Sequence, residues 1–189
     1  VSNVAVAIQP TAAYQVVRTA DETLLIGSDL VARVLGDTAY DVLAELPGAE
    51  LEHTRYQAPF ALVAVPDAHY VIRGDYVTTD DGSGIVHEAP AFGAVDLALC
   101  RQYGLPVVNP LRLDGTFEPE VPLVGGMFFK KADAVLVDDL QARGLLFKHV
   151  PYEHTYPHCW RCHTPLVYYA QPSWYIRTTE VKDALLREN

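Results

Sequence analysis

Asp81-Gly82-Ser83-Gly84-Ile85-Val86-His87-Glu88-Ala89-Pro90-Ala91-Phe92-Gly93-Ala94-Val95-Asp96 reads as a turn, a short strand, a loop and the start of a helix. Asp81-Gly82 is a turn signal, Gly84 permits close backbone approach, and Ile85-Val86 form the buried strand. Pro90 and Gly93 then turn the chain into a largely apolar helical run, Val95 to Cys100, that stops at Gly104. Asp96 therefore falls in a first helical turn, and His87 and Asp96 flank one loop. Taken singly, each has a plain structural role: the carboxylate complements the helix dipole by ~0.3–1 kcal/mol, and the histidine is a hydrogen-bonded residue at a strand end. Together on one loop they are a candidate site, because function collects on loops held by a rigid scaffold.

The 189 residues fit one domain long enough to bury roughly 70% of its unfolded surface. No apolar run approaches the ~18 residues of a membrane helix, and the opening Val1-Ser2-Asn3-Val4 has no basic region followed by an apolar one. The expectation is a soluble cytoplasmic protein with no membrane partner. A net charge of −10 and pI of about 5.0 argue against a free-standing nucleic-acid binder, which normally carries a basic footprint. Lys130-Lys131 and the Arg177 region are the few places where cations could meet a phosphate, although adjacent lysines are usually solvated surface.

Strand-like runs dominate: 3–8, 14–19, 23–26, 40–46, 60–65, 70–73, 76–79, 84–87, 145–150, 166–170 and 174–177, rich in Val, Ile and Tyr. Helices are expected over 28–36, with Ser28 as N-cap, over 132–143, ending at Gly144, and over 178–188, with Glu180 in the first turn. Many short strands with turns at Pro47-Gly48, Asp80-Asp81-Gly82 and Asp114-Gly115 indicate a mixed α/β fold, mainly an antiparallel β-barrel core decorated by a few helices. A soft boundary near Pro151 separates this barrel, residues 1–150, from a return segment, 151–189, within the same domain.

Three cysteines make no disulfide framework. Cys100 reads as a small core residue on its helix. Cys159-Trp160-Arg161-Cys162 has the spacing of half a tetrahedral zinc site, in which two thiolates on a tight turn meet one metal at ~2.3 Å. His158 and His163 stand beside it, but Cys162 to His163 is too tight for the usual second pair. A redox pair precedes a helix, which Thr164-Pro165 does not offer.

The run from Gly82 to Asp96, GSGIVHEAPAFGAVD, resembles the signature of the editing domain inserted in isoleucyl-tRNA synthetases, one of the valyl/isoleucyl/leucyl editing-domain family. Tyr156 to Ile176, YPHCWRCHTPLVYYAQPSWYI, is similar to the end of that insertion, and weaker similarity from Ser2-Asn3-Val4 onward extends the resemblance to nearly the whole chain. His87 and Phe92 favour the isoleucine enzyme over its relatives. The resemblance implies the same barrel and an aminoacyl-tRNA ester hydrolase acting on valine at the 3′ end of isoleucine tRNA, and on valyl adenylate, with the remainder of the synthetase holding the tRNA. It implies Asp96 holding the cationic α-amino group, His87 rejecting the extra methylene of isoleucine or bonding the terminal ribose, and Phe92 and Gly84 completing the substrate site. Water is the nucleophile, and the hydrolysis needs no cofactor. Zinc on Cys159 and Cys162 would be completed by a second cysteine pair outside this chain. Two departures stand out: Ser83 replaces the usual threonine, and the threonine-rich peptide expected immediately before Ser2 is not in this sequence, a reason for this stretch alone to edit poorly. The rival readings are a noncatalytic zinc-linked interaction module and a free-standing hydrolase of mischarged tRNA.

Overall fold

A computed structural model describes residues 1–150 and 153–188. The boundary expected at Pro151 lies outside the described residues. Strand β1 (Ala5–Ile8) is the centre of a three-stranded sheet, with β5 (Tyr70–Arg73) parallel to it on one side and β6 (Ile85–Glu88) antiparallel on the other. Ala5, Ala7 and Ile8 are completely buried, which is why the strand reads as an unbroken apolar run and not as an alternating one. A second sheet, wholly antiparallel, has β2 (Ala13–Arg18) between β3 (Thr23–Gly27) and β4 (Asp41–Pro47). It sits inside the crossover that carries the chain from β1 to β5.

The two sheets meet at Tyr14. Its buried hydroxyl donates to the Gly84 carbonyl at 2.6 Å and accepts the Gln9 N–H at 2.9 Å, and its ring packs with Ile8, Leu51 and Val71. The Gly27 N–H donates to the Ser83 carbonyl at 2.8 Å, fastening the end of β3 to the start of β6. Gly48 lies in the same seam, where a Cβ would overlap the Gln9 carbonyl and touch the Tyr14 ring.

Among the described residues four α-helices follow or interrupt the strands: α1 (Val31–Leu35), α2 (Ala94–Gln102), α3 (Phe129–Ala142) and α4 (Thr178–Glu188). α2 packs Cys100 into the core beside Val4, Ile72 and Val77, as expected of that cysteine. α3 covers a separate apolar cluster of Phe117, Val121, Val124 and Ala132.

The structure corrects several expectations. Among the described residues the six strands form two open sheets, not a closed barrel, and one pairing is parallel. Residues 60–65, 76–79, 145–150, 166–170 and 174–177 form no strands. Their apolar residues mimic a strand locally but find no ladder to join. Leu62 and Val63, for example, pack against the α3 cluster. Ser28 makes no capping bond; it opens a 3-10 turn, Ser28–Leu30, and its buried hydroxyl has no partner among the described residues. Helix α3 begins three residues earlier than its apolar spacing suggested, at Phe129.

If Gly48 holds the seam between the sheets, Gly48→Ala should destabilise the chain by about 1–3 kcal/mol, the usual cost of overpacking. Urea unfolding against the wild type measures this, and an unchanged midpoint would show that the seam relaxes.

Candidate active site

Strand β6 sends neighbouring side chains to opposite faces. His87 faces a cavity of about 370 Å³, and Glu88 faces the core. The cavity lies between β6, helix α3 and the segment after it, and its walls include Phe92, Phe117, Phe129, Tyr156 and Tyr168, with Asp133 its lining carboxylate. A volume of this size suits a small ligand or the end of a larger one.

The loop from Ala89 to Gly93 is tightened by hydrogen bonds from the Phe92 and Gly93 N–H groups to the Ala89 carbonyl. Asp96, in the first turn of α2, accepts the Ala89 N–H at 2.9 Å. A Cβ at Gly93 would overlap the Asp96 carboxylate, so the glycine is what lets that side chain tuck under the loop. Asp96 thus sits beneath the loop and does not line the cavity, whereas His87 and Phe92 do. Gly84 lies at the far end of β6, packed on Gly27 and Tyr14.

The His87 Nδ1 lies 2.8 Å from the Asn3 side-chain amide nitrogen. The residue is exposed at the cavity mouth, yet the surrounding protein desolvates its ring and lowers its pKa, while the Asp96 carboxylate acts in the opposite sense. Glu88, next along the strand, is 0% exposed. Tyr76 donates its hydroxyl to one Glu88 oxygen, and the other has no partner among the described residues. Burial pushes this carboxyl above its usual range, and the Tyr76 hydrogen bond opposes the shift only in part.

The return segment reaches the loop directly, because the Ala170 N–H donates to the Ala91 carbonyl at 2.6 Å. Lys130, one of the expected phosphate contacts, stands with its ammonium 4.3 Å from the Tyr156 ring. Arg177 pairs with Glu180 at 2.7 Å. Cys159 and Cys162 occupy a tight turn closed by the His163 N–H on the Cys159 carbonyl and the Cys159 N–H on the Thr164 carbonyl. Hydrogen bonds from Thr164 draw the exposed Cys162 thiol down to about 7, with a further contribution from Cys159. Two thiols so placed fit half a metal site, and among the described residues no group of three or more metal-binding side chains completes it.

Sequence reasoning found His87 and Phe92 through the motif but missed Asn3, Glu88, Asp133 and the two tyrosines. Asn3 carried a local signal, since it is a buried amide at the head of an apolar strand. Glu88 stands beside His87 in the motif itself, whereas Asp133 and the two tyrosines are brought in from distant elements.

The chain is 61% identical over 190 residues to an isoleucine–tRNA ligase of Streptomyces coelicolor and 43% identical over 187 residues to that of Thermus thermophilus, with 100% and 99% of the chain aligned. It is similar from end to end to a segment of isoleucine–tRNA ligases. It spans 18% of the length of these relatives. The crystal structure of GlLeuRS-CP1 shares the fold, with a TM-score of 0.58 at 15% identity, covering 81% of this chain and 80% of that one. No family model matches. Among the described residues no helix is long and apolar enough to cross a membrane.

The depressed pKa of His87 gives a signed expectation. The unfolded imidazole takes its proton at about 6.5 and the folded one at lower pH, so between the two values the unfolded state binds more protons. Stability present above pH 6.5 should therefore decline as pH falls through the folded value. Urea midpoints from pH 7.5 to 5 should fall more steeply for the wild type than for His87→Phe, which has no proton to gain.

Proposed function

We propose that this chain is an editing domain of isoleucine–tRNA ligase, hydrolysing the ester between valine and the 3′ end of isoleucine tRNA. The observation that carries this is the end-to-end similarity to ligase segments, in a chain that holds its own walled cavity beside His87. One methylene supplies only ~1–3 kcal/mol of discrimination, a limit for which isoleucyl-tRNA synthetase is itself the reference case, so a second site that removes the wrong product has a reason to exist. The net charge of −10 suits contact with the aminoacyl end alone, the polyanion being held by other parts of the ligase.

In this mechanism an ester needs little activation, and positioning a water against its carbonyl suffices. Asp96 holds the α-amino group of a substrate that reaches past the cavity wall to the carboxylate beneath the loop, His87 offers its ring to the side chain or the ribose, and Phe92 gives an apolar wall. Asp96→Ala in the full-length ligase should abolish Val-tRNA hydrolysis and leave isoleucine charging intact. Near-normal deacylation would remove Asp96 from the site, and a large fall in melting temperature would mark the loss as structural.

Cys159 and Cys162 would hold a zinc ion whose remaining ligands lie elsewhere in the ligase, a structural clasp that pins the insertion and takes no part in the hydrolysis. Metal analysis should find stoichiometric zinc at this site in the full-length enzyme and little in this chain alone. Tight zinc in the isolated chain, lost in Cys159→Ser, would mean that the site is local.

A further inference from the structure

The Asn3 side chain is held at three points. Its amide nitrogen donates to the Ala5 carbonyl at 2.8 Å and lies 2.8 Å from His87 Nδ1, while its oxygen accepts the Tyr56 hydroxyl at 2.5 Å. The main chain at Asn3 is also fixed: its carbonyl accepts from His69 Nε2 at 3.1 Å, and the ring of His69 meets that of Tyr56 edge-on.

These contacts fix more than a position. A carbonyl oxygen only accepts hydrogen bonds, so the group facing Ala5 has to be the NH₂ end of the amide and not its oxygen. The amide is therefore not free to flip. The same NH₂ group faces His87, so Nδ1 has to present its lone pair, and the single proton of the neutral ring has to sit on Nε2. Since Nδ1 is taken and His87 lines the cavity, Nε2–H is the polar group left for a ligand.

We propose that Asn3 is the positioning residue of His87: its amide, locked by Ala5 and Tyr56, keeps the imidazole proton on Nε2 and so presents a hydrogen-bond donor to the cavity. A protonated ring would set N–H against N–H at Asn3 and break the contact. Of the charged side chains nearby, the Asp96 carboxylate acts on the ring and favours the cation, and Asp133 lines the same cavity. A donor at this point suits an acceptor on the ligand, such as a ribose hydroxyl oxygen or an ester carbonyl. That last step rests on the editing reading, whereas the tautomer does not.

The test is nitrogen-15 NMR of the His87 ring in the 189-residue chain. The wild type at pH 7.5 should show an unprotonated Nδ1 and a protonated Nε2 as a single species. Asn3→Asp replaces the donor by an acceptor of the same shape, so the proton should move to Nδ1 and the ring's proton affinity should rise at least tenfold. Asn3→Ala, which introduces no charge beside Ala5, should give a mixture of the two tautomers and decides the matter if the aspartate variant does not fold. A wild-type ring protonated on Nδ1, or a wild-type pattern that survives Asn3→Ala, would overturn the proposal. In the full-length ligase Asn3→Asp should slow Val-tRNA hydrolysis at least tenfold and displace its pH profile. A changed tautomer with unchanged editing would leave the positioning role standing and remove His87 from the editing site.

Discussion

Strand β1 has no free edge and little surface left for water, and this constraint organises the rest of the molecule. Its edges are paired to β5 and β6, and Ala5, Ala7 and Ile8 are completely buried, with Val6 partly so. Asn3 lies shortly before the strand and Gln9 directly after it, and each of these polar side chains is used. Gln9 bonds the Asp75 and Val77 carbonyls, tying down the turn after β5. Asn3 is directed at the site. The buried strand thus sets the position of His87 twice, once through the ladder that pairs Val6 with His87 and once through the amide at its head.

Strand β6 shows how one local pattern supplies both chemistry and strain. His87 and Glu88 are adjacent polar residues on a strand whose two faces have different surroundings. The face toward the cavity leaves an imidazole partly exposed, while the other encloses a carboxyl with one oxygen unmatched. An unsatisfied buried group costs about 1–3 kcal/mol, more if it is charged, and the raised pKa of Glu88 reflects the escape available to it, which is to keep a proton. Its neighbour on the far side of the loop, Asp96, avoids that cost by accepting a backbone N–H.

Much of this was legible because it is local. The turn, strand, loop and helix from Asp81 to Gln102 could be read from glycines, a proline and apolar spacing, and the folded chain reproduces that order. The barrel was not legible, since closure depends on which edges find partners. Tyr70–Arg73 and 60–65 look equally strand-like in sequence, yet only the first has β1 to pair with. The same limit hid the support of the site: Asn3 is 84 residues from His87 and 53 from Tyr56, and no periodicity links residues joined only by the topology.

The parallel pairing of β1 with β5 bears on the order in which the molecule can be assembled. Sixty-one residues, 9–69, including the entire second sheet, separate the two strands. The antiparallel sheet can close early from neighbouring hairpin contacts, but β1 must remain as a bare apolar ribbon until β5 and then β6 arrive. Long-range pairing of this kind is slow because the loop entropy is lost before any contact compensates for it. During synthesis β1 is therefore made before either strand that encloses it, and until they arrive it is the part of this chain most in need of shielding from other chains.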